Sequence, residues 1–259
     1  MIGRALAGLF LAGALAFGAR YTRSLSLSGA VAAILIGTAT SIAGWSWAIV
    51  LITFFLTSAG LSRFRRAARD ARIGDVVEKG DERDAFQVFA NGGVFAACSL
   101  AAAGTGSVVW SAAALGALAG AVADTWATEI GTLFGGAPRS VVSLKPLPPG
   151  MSGGVTPIGV AASVCGAAML VGVAHLTGIQ ASPVAVFLGG IAGSLADSLI
   201  GATVQERRWC DQCTKSTERR IHSCGSTTRV VGGIPGARND FVNVVCTMVG
   251  ATVGALLSS

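Results

Sequence analysis

The chain has 259 residues, 52% of them hydrophobic and only 12% charged, with a mean hydropathy of +0.67. A soluble domain carries roughly 25% charged residues, so the composition excludes an ordinary soluble enzyme and points to a membrane protein with several spans. The net charge of +6 and pI of 9.4 would suit nucleic acid only if the bases formed a patch; they fall in loops between apolar runs, which makes them a topology signal and excludes a nucleic-acid partner.

Charge-free runs define the spans. Residues 5–19, bounded by Arg4 and Arg20, give a short first helix. Residues 24–62 hold two spans broken near Gly44, and residues 85–123 hold one span and most of a second, broken near Gly104–Gly106. Residues 146–196 supply two more, broken near Gly178–Pro183, and residues 241–259 supply the last. At roughly 20 residues per span, the chain reads as a single integral-membrane domain over 1–259. It is an all-α, polytopic bundle of about eight transmembrane helices near 4–20, 26–43, 45–62, 85–103, 107–134, 156–176, 182–204 and 240–257. Thr156–Pro157 and Ser182–Pro183 each place a capping residue before proline at the first helical position.

The bases support this count. The loops near 20–23, 63–83, 139–145 and 207–238 hold 18 of the 19 Lys and Arg, all on one side; the intervening loops hold none. The positive-inside rule puts these loops in the cytoplasm of a bacterial-type inner membrane and both termini outside. Arg4, its apolar run and Ala14-Leu15-Ala16 also fit a signal peptide, but cleavage would leave Arg20 and Arg23 outside, against the charge pattern. Trp45, Trp47 and Trp110 are expected as interfacial anchors on the outer side, and His175 as an interfacial or packed histidine. The 62–84 loop, with seven bases and six acids, reads as a solvated connector; a phosphate-attracting role for Arg63, Arg65 and Arg66 is weakly supported.

Acids break the apolar pattern at Asp124, Glu129 and Asp197. A carboxylate in a membrane helix costs about 2.5–3.5 kcal/mol on insertion scales, which marks a functional site. GALAGAVADT (116–125) and GGIAGSLADS (189–198) are identical at five of ten positions, both glycines and the aspartate included. The spacing puts Gly116, Gly120 and Asp124 on one helical face, and Gly189, Gly193 and Asp197 on another. Glycine faces let helices approach closely, so each aspartate is expected to point into the bundle, in an internal repeat of helices 5–6 and 7–8. Asn91, Asn239, Asp240 and Asn243 fall at similar depth. No lysine or arginine is expected there, which leaves protonation or a bound cation to neutralise the acids. Mg²⁺ on Asp124 and Asp197 fits, since it takes one or two carboxylates plus phosphate oxygens.

Two loops add to this. Lys145 to Thr156 contains Gly150, Ser152, Gly153 and Gly154 before a helix N-terminus, an arrangement suited to phosphate; a tight Pro/Gly connection reads equally well from this loop alone. The 205–238 loop carries Cys210-x-x-Cys213 and His222-x-Cys224, a closed four-ligand set with zinc spacing. Unmetallated thiols are the alternative.

Several strings together resemble a known family: Ser24-Leu-Ser-Leu-Ser-Gly29, Phe54-Phe55-Leu-Thr-Ser58, Asn91-Gly92-Gly93, Asp124-Thr-Trp-Ala-Thr-Glu129-Ile-Gly131, Pro149-Gly150-Met-Ser-Gly-Gly154 and Asp197-Ser198-x-x-Gly201-Ala-Thr-x-Gln205. They resemble the transmembrane protein 19-like family, or domain of unknown function 92, over nearly the whole chain. That family includes the phytyl-phosphate kinase of tocopherol synthesis. It is distantly similar to CTP-dependent lipid kinases and cytidylyltransferases with an acidic motif, matched here by Ala123-Asp124-Thr-Trp-Ala127. Met151 departs from the hydroxyl residue expected in the glycine-rich loop.

The resemblance implies a CTP-dependent kinase of a phytyl or polyprenyl phosphate in the bilayer. Asp124 and Asp197 would hold Mg²⁺, and Glu129, Asn91 and Asn243 would complete the catalytic group. Lys145, Gly150, Ser152, Gly153, Gly154 and Asn239 would bind the nucleotide. Oligomeric state is left open. The rival readings are an ion-coupled small-molecule transporter, since repeats and midplane carboxylates also serve carriers, and a membrane protein without catalysis.

Overall fold

The computed structural model describes residues 2–64, 66–78 and 82–259. Arg65, Lys79 and Asp81, counted above among the charges of the 62–84 loop, lie outside the described residues.

The eight expected long helices are present: α1 (Ile2–Tyr21), α2 (Leu27–Ala43), α3 (Trp45–Arg63), α5 (Ala85–Thr105), α6 (Val108–Phe134), α7 (Pro157–Leu176), α8 (Pro183–Thr203) and α9 (Asn239–Leu256). A ninth, α4 (Arg66–Ile73), lies within the segment expected to be a plain connector. Seven of the helices are long and apolar enough to cross a membrane, and α2, with 17 residues, is slightly shorter. The protein is a polytopic helical membrane protein.

The caps follow the sequence. Thr156 Oγ1 accepts from the Gly159 N–H (3.0 Å) and Ser182 Oγ from the Ala185 N–H (3.3 Å), each with proline next in the chain. Asp84 and Gln87 form a reciprocal capping box at the start of α5.

α6 is the central helix. Every residue from Ser111 to Ala123 is buried, against α5, α7, α8 and α9. A helix apolar all round belongs inside a bundle, not at its surface. At the periphery α1 lies on α2, with Gly8 against Ser41 and Gly37 against Ala12. The other side of α1 exposes Ile2, Leu6, Phe10 and Phe17, as a lipid-facing helix should.

All the charged connections gather at one end. Arg63 Nη2 donates to Thr22 O and Ser24 Oγ, Glu218 N to Val76 O, Arg219 Nη1 to Gly74 O, and Arg72 Nη2 to Gly136 O. Gly44, Gly106 and the 177–182 connection turn the chain at the opposite end, where Ser46 Oγ donates to Thr177 O (2.8 Å). Eight alternating helices bring both ends of the described chain to this second, charge-poor end.

Short strands shape the polar end, which the sequence reading treated as loops. β1 (Arg139–Ser140) pairs antiparallel with β2 (Gly154–Val155). β3 (Arg207–Cys210), β4 (Lys215–Thr217) and β5 (Arg229–Gly232) form an antiparallel sheet in the order β4-β3-β5, so the 205–238 segment is folded. Trp47 is also corrected. It is buried edge-on against Phe95 at 6.0 Å between ring centroids, whereas Trp45 and Trp110 are exposed.

Candidate functional site

The site begins with glycine. α6 and α8 meet where a Cβ on Gly193 would lie 2.8 Å from Cys246 O and 3.1 Å from Gly120 Cα. One turn earlier, a Cβ on Gly189 would lie 2.7 Å from Gly250 O and 3.2 Å from Gly116 Cα. Three backbones, those of α6, α8 and α9, therefore touch with no side chain between them, the close approach that small residues permit. Asp124 and Asp197 follow one turn beyond Gly120 and Gly193, and their carboxyl groups face each other within hydrogen-bonding range. Among the described residues, Asp197 Oδ2 is buried with no hydrogen-bond partner. Two ionised carboxylates so placed repel unless a proton or a cation lies between them.

α9 runs antiparallel to α6 and α8, so its start reaches the same depth. Asn243 is buried there. Asn91 approaches from α5, its Nδ2 donating to Gln87 O (2.9 Å). Together these residues line a cavity of about 570 Å³ that opens to the polar end, with Asp240 and the more exposed Asn239 towards its rim.

The α7–α8 pair also borders the cavity. α7 and α8 touch where a Cβ on Gly190 would lie 3.1 Å from Ala167 Cβ, and Ser163 and Ser194 hydrogen-bond across the pair at 3.2 Å. Towards the polar end from that point, Val160, Val164 and Leu195 line the cavity and are exposed. In the corresponding α6–α9 pair, Gly250 and Gly254 seat directly on Gly116 and Ala112.

Glu129 has a different environment from the one expected. Arg69 of α4 grips both its oxygens with Nη1 (3.0 and 2.9 Å), and Ser62 Oγ donates to Oε1 at 2.5 Å. The expectation that no arginine reaches the acids fails at this position. A loop 60 residues earlier in the chain folds back to neutralise Glu129, whose carboxylate is committed to that pair. Among the described residues, Asp124 and Asp197 have no such partner.

The glycine-rich loop lines the cavity from Pro149 to Thr156. Gly150, at φ +84°, packs on Ile73, and Gly153, at φ +77°, comes so close to Ala202 that a Cβ would meet it at 2.5 Å. Only glycine suits that combination of backbone angle and contact. The Ser152 N–H already donates to Glu218 Oε1 (2.8 Å), and Gln205 Nε2 donates to Glu218 Oε2 (2.9 Å). An internal carboxylate thus sits where a phosphate was expected. Burial pushes the Glu218 carboxyl up to about 7, only partly offset by the Ser152 N–H.

Lys145 lies at the exposed turn joining β1 to the loop and does not line the cavity. Bases from α4 and the sheet segment line it instead: Arg66, Arg69, Arg72, Arg219 and Arg238. Sequence reasoning named none of the last four as site residues, nor Glu218. Gln205 was visible only as the end of a motif string.

The four candidate zinc ligands also converge. One ligand atom from each of Cys210, Cys213, His222 and Cys224 lies within 4.8 Å of all the others.

Comparison with known proteins agrees with the architecture. The family described as integral membrane protein DUF92 matches residues 10–251. Protein PGR of Arabidopsis thaliana is 29% identical over 285 aligned residues, covering 98% of this chain and 96% of its own. An uncharacterised membrane protein of Methanocaldococcus jannaschii is 28% identical, covering 83% and 77%. A second uncharacterised membrane protein, from Synechocystis, is 29% identical, covering 63% and 65%. No solved structure matches the chain.

Proposed function

The chain belongs to the integral membrane family DUF92, and from that premise we propose that it is a membrane-embedded kinase of an isoprenoid phosphate, with CTP as phosphoryl donor. One observation carries the reading. Two facing carboxylates, without basic partners among the described residues, sit in a cavity that opens to the charged end of the bundle and is bordered by α7 and α8, between which we place an entrance from the bilayer. A water-soluble nucleotide and a lipid-tethered acceptor need those two entrances. The charged end would face the cytoplasm, by the distribution of bases.

The donor set fits Mg²⁺, which prefers carboxylate oxygen and commonly keeps substrate phosphates as its other ligands. Asp124 and Asp197 would hold it, and the unpartnered Asp197 Oδ2 is the atom best placed to do so. When bound, the ion would neutralise phosphate charge.

The remaining work is positioning. An oxygen of the acceptor phosphate attacks the γ-phosphorus of CTP, the bond to the β-bridging oxygen breaks, and CDP departs. Such transfers depend on alignment and charge neutralisation more than on base catalysis, which suits a site whose third acid is bound to Arg69. Asn91 and Asn243 offer amide groups from the neighbouring helices α5 and α9. Arg66, Arg72 and Arg219 make the mouth basic, favouring an anionic nucleotide. The acceptor's tail would leave through the cleft past Val160, Val164 and Leu195.

A carrier would need polar access from both ends. The other half of this bundle is closed by α6, buried from Ser111 to Ala123, and by the Gly116–Gly250 and Ala112–Gly254 contacts.

The test is direct. Purified protein with CTP, Mg²⁺ and phytyl phosphate should form phytyl diphosphate, and Asp124→Asn or Asp197→Asn should abolish the product. Absence of turnover across a panel of prenyl monophosphates and nucleotides would refute the kinase.

A further inference from the structure

The segment between α8 and α9 contains a cluster that the proposed reaction does not use. Cys210 closes β3, Cys213 lies in the turn to β4, and His222 and Cys224 stand in the turn before β5. Cys210 and His222 are buried, yet the surrounding sheet has almost no apolar core; β5 exposes Val230 and Val231. A three-stranded sheet of this size does not hold itself together without a staple.

The distances identify the staple. Cys210 Sγ and Cys224 Sγ are 3.7 Å apart, far beyond a disulfide bond of about 2.05 Å. His222 Nδ1 lies 3.3 Å from Cys224 Sγ. Zinc–sulfur bonds of about 2.3 Å at tetrahedral angles separate two sulfurs by about 3.8 Å, and the shorter zinc–nitrogen bond brings nitrogen nearer. The observed separations are those of a tetrahedral edge.

We propose that Cys210, Cys213, His222 and Cys224 bind one zinc ion, and that the metal holds the sheet as a latch over the polar mouth of the cavity. Four protein ligands leave no open position, so the ion is structural. The sheet it organises reaches the cavity at several points. Thr217 Oγ1 donates to Asp75 O (2.8 Å), Ser223 Oγ to Asp75 Oδ1 (2.6 Å) and Arg219 Nη1 to Gly74 O (2.6 Å). Beside them Glu218 reaches in to the Ser152 N–H. Loss of zinc releases these contacts together while leaving the helices intact, because none of the four ligands belongs to a helix.

The test does not depend on any activity. Protein purified in detergent under reducing conditions should contain about one zinc ion per chain by elemental analysis, and Cys213→Ser and Cys224→Ser should each remove most of it. Cobalt exchange into the wild type should give the thiolate charge-transfer and visible bands of a tetrahedral site. Stripping the metal with a strong chelator should open the 211–231 segment to protease while far-ultraviolet helicity persists. Wild-type protein with free thiols and no metal, a Cys–Cys disulfide by mass, or a stoichiometric metal other than zinc would each overturn the site. Zinc present with the 211–231 segment equally protected after stripping would overturn the latch.

Discussion

Replacing Gly193 by alanine tests whether the α6–α8–α9 crossing sets the carboxylate pair. The new Cβ would meet Cys246 O at 2.8 Å and Gly120 Cα at 3.1 Å, both backbone atoms that no rotamer change can move. Ordinary contact begins near 3.4 Å, so the helices must separate by several tenths of an ångström. Overpacking of this kind costs about 1–3 kcal/mol, against roughly 1 kcal/mol gained from alanine's better helix propensity. Gly172→Ala is the matched control: also helical, with nothing within 4 Å of its Cβ, it should gain the propensity term alone. The thermal midpoint in detergent should therefore rise for Gly172→Ala and stay level or fall for Gly193→Ala. Asp197 lies one turn beyond the strained contact, so phosphoryl transfer should fall in Gly193→Ala and be unchanged in Gly172→Ala. Equal stabilisation by both substitutions, with equal activity, would refute the crossing as the determinant of the site.

Arg69→Met strands the Glu129 carboxylate among buried groups and should cost about 3–5 kcal/mol; Arg69→Met with Glu129→Leu should recover much of that loss in chemical denaturation, and a double variant no better than the single would contradict the pairing. The Glu218 carboxyl is raised from 4.5 to about 7. The native state keeps a proton there that the unfolded chain has released, so this group's contribution to stability falls as pH rises from about 4.5 to about 7. Subtracting the Glu218→Gln melting profile from that of the wild type should expose the slope; parallel profiles would exclude it. Thr156→Ala removes the α7 cap and should lower stability by about 1 kcal/mol, read from the same melts against Thr252→Ala, whose hydroxyl bonds only within its own helix.

Much of the architecture could be read directly, because a bilayer imposes one requirement on every span and the bases mark one side. Asp124 and Asp197 were legible for a related reason: acids are rare in apolar helices, and the glycines at four-residue spacing showed which way they face. The Arg69–Glu129 pair was hidden. Arg69 is one of many bases in a mixed-charge segment, and its selection depends on α4 folding back beneath α6. The β3–β5 sheet escaped notice because its strands are three or four residues long and alternate no clear apolar face. Glu218 was invisible for the same reason, and Lys145 misled because proximity in sequence to a glycine-rich loop does not determine which way a β1-side turn points.

The cleft between α7 and α8 has a consequence for how a lipid would be handled. Drawing a 20-carbon chain out of the membrane costs roughly 0.8 kcal/mol per methylene, on the order of 16 kcal/mol in all. The proposed entrance between α7 and α8 would avoid that cost: the head group would turn inward while its chain stays among its neighbours. Arrival is then a search in two dimensions, governed by the amount of lipid in one leaflet and not by its solubility in water. The product of the proposed reaction, more polar than the substrate, would remain moored in the same sheet of lipid, ready for whichever membrane enzyme drifts past next.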